Sequence, residues 1–233
     1  MKTTTTNAPR GHRGPNPGIL AALFMALFIT GLGFVVSFSP GQPHFPYPYD
    51  AIATIEAYFR DHAHDALLCS FFMFGAAIPL GLFTSAMVSR LRYHGISAAG
   101  VDIALFGGYA TALFVMLSAL LLWTAALPAI SHTGTSIDLL YYTSFGTGGV
   151  GYSVPLGLLI AGIAITGGLS GLLPKWLAWS GVVIALIGEL SWLNMIYPQA
   201  LLLIPLTRFP GFIWLIIAGF KLPAMKRETS TAG

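Results

Sequence analysis

KWLAWSGVVIALIGELSWLNMIY (175–197) and ALLLIPLTRFPGFIWLIIAGF (200–220) decide how this chain is read. Each is apolar and about one bilayer long, and between them lies only the turn at Pro198 and Gln199. They read as a helical hairpin crossing a membrane. The interior of the first arm holds one charge, Glu189, and the second holds one, Arg208. At 1.5 Å per helical residue both charges lie about 12 Å below the turn, on facing helices. A charge near mid-bilayer costs about 2.5–3.5 kcal/mol on insertion scales, so each is expected to face protein or water and to have a partner. The expectation is that Glu189 and Arg208 pair with one another.

Composition extends this reading to the whole chain. Of 233 residues, 55% are hydrophobic and 8% charged, where a soluble domain carries about 25% charged residues. Several runs of about 20 apolar residues follow, each long enough for a hydrocarbon core of about 30 Å. The net charge of +3 is distributed as a topology signal, and nucleic acid is not expected as a partner. The single cysteine, Cys69, falls within a span, so no intramolecular disulfide can form.

The polar stretch 1–18 is rich in Thr, Pro and Gly and is expected to be a disordered tail. The first span, Ile19–Phe38, is too long for a signal-peptide core and lacks a small-x-small cleavage site, so it reads as an uncleaved helix. SPGQPHFPYPYD (39–50) predicts an extended interfacial segment with Tyr47 and Tyr49 at headgroup level. From 50 to 66, Ile52, Ile55, Phe59, Ala63 and Ala66 share one helical face, and Arg60, Asp61, His64 and Asp65 the other. That pattern predicts an outer interfacial amphipathic helix, with a Glu56–Arg60 pair, feeding a second span at Leu67–Val88.

The third span runs from Val101 to Leu127, with Asp102 in its first turn. The stretch Ile137–Leu173 would measure about 55 Å as one helix, too long for a straight span. FGTGGVGYSVP (145–155) should interrupt it, giving an interfacial helix at 137–145, capped near Ser136 with Asp138 in its first turn, and a fourth span at 153–172. With the hairpin this makes six spans. Placing both termini in the cytoplasm then puts Lys2, Arg10, Arg13, Arg90, Arg92, Lys175, Lys221, Lys226 and Arg227 inside and only Arg60 outside.

Glu189 and Arg208 admit two readings: an ion pair that only pins two helices, or part of a polar pocket for an ion, a proton or a small solute. Pro205 and Pro210 leave the carbonyls of Leu201 and Leu206 without their usual donors. Ser191, Asn194, Thr207, Tyr152 and Ser153 are the candidate lining of such a pocket. The glycine run 146–151 has no following Lys and no preceding strand, so P-loop and dinucleotide readings fail. It reads as a tight turn ahead of the fourth span, with the substrate-site broken helix of transporters as the alternative. Gly157, Gly162, Gly167 and Gly171 read as close-packing positions. Asp61, His62, His64 and Asp65 are metal-compatible residue types, but histidines two apart diverge on a helix, and a solvated face is the expectation. No metal, no cofactor and no catalytic residue is assigned. Cys69 lacks an activating base, and no G-x-S-x-G occurs.

YSVPLGLLIAGIAITG (152–167), LLPKWLAWSGVVIALIGELSW (172–192) and PLTRFPGFIWLIIAGF (205–220) resemble a bacterial family of six-span integral membrane proteins of unknown function. The resemblance implies the six-span topology and carries no activity and no site residue.

The expected protein is an all-α, six-span bundle of the bacterial cytoplasmic (inner) membrane. It has tails at 1–18 and 223–233, a transmembrane domain at 19–222, and both termini inside. The leading expectation is a non-enzymatic protein binding or passing a small polar solute, ion or proton near Glu189 and Arg208. The alternatives are a structural or accessory subunit, whose ion pair serves assembly, and a membrane-embedded enzyme using Glu189 or the outer histidines.

Overall fold

A computed structural model describes residues 14–36, 45–134 and 136–225. The expectations for 1–13, for 37–44 with His44, and for Lys226 and Arg227 lie outside the described residues. Among those described, every regular element is helical. The order is α1 (Pro17–Val35), α2 (Ile52–Tyr93), α3 (Ala99–Ala125), α4 (Pro128–Ser131), α5 (Ile137–Gly148), α6 (Val150–Leu169), α7 (Lys175–Leu190) and α8 (Leu203–Lys221). Two 3₁₀ turns, Ser191–Met195 and Pro198–Leu202, join α7 to α8. Six helical stretches are long and apolar enough to cross a membrane, α5 and α6 counting together as Ile137–Leu169. The protein is a multi-pass membrane protein of six such helices.

The start of α1 shows how local chemistry sets a boundary. Asn16 Oδ1 accepts from the Gly18 N–H at 2.9 Å, and Pro17 opens the first turn, where its missing N–H costs nothing. The starts of α1, α3 and α7 and the ends of α2, α6 and α8 meet at one end of the bundle, called here the basic end. There Gly18 packs on Phe220, Gly100 on Thr166 and Gly168 on Ala178. Arg90, Arg92, Lys175 and Lys221 belong to this end, and Arg60 to the far end.

Small residues let the backbones approach. A Cβ built on Gly107 of α3 would stand 2.5 Å from the Leu159 amide nitrogen and 2.6 Å from the Pro155 carbonyl of α6. Gly162 meets the Gly100 carbonyl, Gly181 meets Ala164, and Gly219 meets Gly18 in the same manner. Gly157, Gly162 and Gly167 are close-packed as expected. Gly171 instead has open space and a φ of 68°, so it is a turn residue between α6 and α7. Large apolar side chains such as Phe71, Phe106, Leu113 and Ile213 point outward, as lipid-facing positions do. Trp123, Trp176, Trp179 and Trp192 are exposed near helix ends, where amphipathic rings sit at the headgroups. Trp214 is buried and donates to the Leu177 carbonyl at 2.8 Å, tying α8 to α7.

The helix expected ahead of the second span is present: α2 consists of two helical stretches that meet at a kink, with non-helical dihedrals at His62. Its first turns bury Ile55, Phe59 and Ala66, against Tyr141, Ile137 and Phe45, while Ile52 is exposed and Ala63 only partly covered. Three other local expectations need correction. The Glu56–Arg60 pair is not formed; Arg60 lies 3.9 Å from Asp61, and the kink at His62 breaks the regular face. The 137–145 segment is not a separate interfacial helix but part of the span-length stretch Ile137–Leu169. α5 continues to Gly148 and packs lengthwise on α3, with Ser144 and Ser118 exchanging hydroxyl-to-carbonyl bonds of 2.9 and 2.8 Å. Gly148 meets Ser118, Gly107 meets Leu159 and Gly100 meets Thr166, so α5 and α6 together run antiparallel to α3 along its length. Ser136 precedes α5 at φ 64° without making a side-chain cap.

Candidate functional site

The break predicted over 145–155 narrows to one residue. Gly149, at φ −93° and ψ −95°, separates α5 from α6. Across it the Gly149 N–H still bonds Phe145 O, and the Ser153 N–H opens α6 by bonding Gly149 O. The break lies inside a span-length helix, next to α3, and is not a turn between an interfacial helix and a span. Pro155 lies inside α6, past the first turn, so it gives the Gly151 carbonyl no helical donor.

Arg208 is brought to this junction by its place on α8. One residue earlier, the Thr207 methyl meets the position a Cβ on Gly188 of α7 would occupy, at 3.0 Å. Thr207 therefore faces α7. A helical step of about 100° turns Arg208 away from α7, toward α1 and α6. There its Nη2 donates to the Gly148 carbonyl at 2.6 Å, at the negative end of α5. Its guanidinium carbon stands 4.9 Å from the Tyr152 ring centre and 5.1 Å from that of Phe28. Phe28 in turn packs edge-on against Phe212, and Phe212 against Phe24. The cation is thus held by an aromatic wall and one carbonyl. Cation–π contacts of this kind contribute about 2 kcal/mol each when desolvated.

The expected Glu189–Arg208 ion pair is absent. Glu189 lies in the last turn of α7, one residue past Gly188, which touches Ser153 O and Gly157 of α6. Its Oε1 stands 3.0 Å from where a Cβ on Gly157 would be, so the carboxylate occupies the seam between α6 and α7. The two charges are on adjacent helices, as expected, but they leave those helices on different faces. Arg208 has no carboxylate partner among the described residues.

The candidate lining separates in the same way. Tyr152, Ser153, Ser191 and Thr207 are fully buried. Ser191 and Thr207 spend their hydroxyls on the carbonyls of Gly188 and Leu203 within their own helical turns. Asn194 does not join the site: its side chain accepts from the Tyr49 hydroxyl at 3.3 Å, at the far end. Pro205 falls in the first turn of α8, so its missing N–H opens no gap in the helix. Among the described residues, the side-chain polar atoms left buried with no hydrogen bond are Tyr152 Oη, Ser153 Oγ, Glu189 Oε1 and Arg208 Nε, together with Arg90 Nε and Ser131 Oγ elsewhere. Four of these six therefore belong to the region where α6, α7 and α8 meet.

Two further polar contacts were not legible in the sequence. At the basic end Arg90 is buried and donates through Nη1 to the carbonyl of Leu222, the C-cap of α8, at 3.0 Å. His94 Nε2 meets the Pro223 carbonyl at 2.8 Å. Arg92 and Asp102 form an exposed ion pair at 2.7 Å. At the far end His62 lies 3.5 Å from Asp65, and no three His, Cys, Asp or Glu side chains gather as metal ligands among the described residues. Comparison of the chain with family models, with curated proteins and with solved structures finds no match.

Proposed function

We propose that this is a protein of the bacterial cytoplasmic membrane that binds a small polar solute at the helix junction beside Arg208. The observation carrying this reading is a half-buried guanidinium without a carboxylate partner, whose buried Nε has no acceptor, packed on the fully buried Tyr152 phenol. Buried polar groups are almost always satisfied, and an unsatisfied one costs about 1–3 kcal/mol. Unsatisfied groups on facing helices α6 and α8 are the arrangement expected of groups kept for a ligand. The same reading places both termini in the cytoplasm, because Arg90, Arg92, Lys175 and Lys221 share one end and Arg60 the other. It agrees with the six-span bacterial family that segments 152–167, 172–192 and 205–220 resemble.

A second reading has one observation in its favour. The Arg208–Gly148 bond and the two ring contacts fasten a broken helix, as a scaffold would. Stability separates the two. On the binding reading Tyr152→Phe and Ser153→Ala remove groups that bond nothing in the empty protein, so each melts at or above the wild-type temperature. A loss of more than about 1 kcal/mol in either variant, measured by thermal unfolding in detergent, would assign these hydroxyls to the scaffold instead.

A further inference from the structure

We infer that the solute bound beside Arg208 presents an oxyanion, a carboxylate or a phosphate, seated at the start of α6. This rests on the binding reading above and names its ligand class. The argument is an inventory of donors. Arg208 contributes a full positive charge, of which only Nη2 is engaged, on Gly148 O, while Nε–H has no acceptor. Tyr152, 0% exposed, contributes a hydroxyl whose one charged neighbour is Arg208 and which lacks a well-formed hydrogen bond, and Ser153, the next residue and also 0% exposed, carries a second unbonded hydroxyl on the same turn of α6. The first bond opening α6 starts at the Ser153 N–H, so the N–H groups of 150–152 precede it at the positive end of the helix dipole. A helix start alone would mean little, but here a half-buried cation with a buried, unbonded Nε–H stands at it, on the fully buried Tyr152 ring.

The acceptors do not balance these donors. Gly148 O already receives Arg208, and the Glu189 carboxylate is turned into the α6–α7 seam against Gly157. A cationic solute would meet an uncompensated guanidinium. A neutral polyol would leave that charge unpaired. An oxyanion neutralises it and accepts from the hydroxyls as well. The oxyanion belongs either to a soluble molecule or to a lipid headgroup, and thermal unfolding with each tells these sources apart.

The test is thermal unfolding of the purified full chain in a neutral detergent, at constant sodium. The additives are sodium acetate, sodium phosphate, glycerol, choline chloride, or phosphatidylglycerol in mixed micelles. Acetate or phosphate should stabilise the wild type, with binding weakened about ten-fold or more in Arg208→Gln. Tyr152→Phe, which keeps the ring under the guanidinium, should weaken it less and guards against a misfolded Arg208 variant. Stabilisation by phosphatidylglycerol alone, with the same dependence on Arg208, supports the oxyanion and identifies its source as a headgroup. Stabilisation only by glycerol or choline, still dependent on Arg208, overturns the ligand class and spares the binding reading. No stabilisation by any additive overturns both.

Discussion

Glu189 and Arg208 show how far depth along a helix falls short of specifying a contact. Both sit in apolar helices joined by a short turn, and that much is readable from 175–220. Their azimuths are not readable, because the packing face depends on which neighbour each helix meets. Gly188 and Thr207 touch across α7 and α8 at this depth, and one residue on from each turns the charges apart. The energetic consequence is measurable. In a double-mutant cycle of Glu189→Gln and Arg208→Gln, the coupling should fall below about 0.5 kcal/mol, the range of independent sites. A direct pair would instead show about 1–3 kcal/mol, and thermal unfolding of the four proteins decides between these. Glu189→Gln alone should leave the protein as stable as before or slightly more so, since it removes a charge whose Oε1 has no donor.

Among the elements, the glycines carry opposite expectations that sequence alone does not distinguish. Gly107 lies where α3 and α6 touch backbone to backbone, and neither the Leu159 amide nor the Pro155 carbonyl can rotate aside as a side chain would. Gly107→Ala should therefore cost about 1–3 kcal/mol or more through forced separation of the helices. Gly75 and Gly81, on α2, have nothing within reach of an added methyl. Gly75→Ala and Gly81→Ala should be neutral, or stabilising by up to about 1 kcal/mol, the helix propensity difference. Melting temperatures of the three variants check the contrast. The existence of the spans was legible because about 20 apolar residues in a row leave few alternatives. The joins were not. A glycine run shows that a helix can break, but whether it breaks over ten residues or at Gly149 alone depends on α3, which supports α5 through the Ser118–Ser144 bonds. The amphipathic face at 50–66 was read correctly at Ile55 and Phe59, yet its partners, Tyr141 and Phe45, are distant in sequence.

For the whole molecule, orientation is the open and testable quantity. Apart from Arg208 within α8, the described Lys and Arg residues divide between Arg90, Arg92, Lys175 and Lys221 at one end and Arg60 at the other. The native Cys69 is buried, so single introduced cysteines can be read without background. With both termini inside, Arg60→Cys in intact cells should react with a membrane-impermeant maleimide, and Lys221→Cys should react only after lysis. The reverse pattern would invert the topology. The contact between Arg90 and the end of α8 bears in addition on how the protein is made. α2 is synthesised before α8, yet a buried guanidinium on the first donates to the Leu222 carbonyl at the end of the second, and Gly18 of α1 waits for Gly219 in the same way. Until α8 has left the ribosome, the earlier spans hold a vacant slot and a cation without that acceptor. The bundle is latched shut by α8, and a nascent chain stopped short of it should remain open to protease.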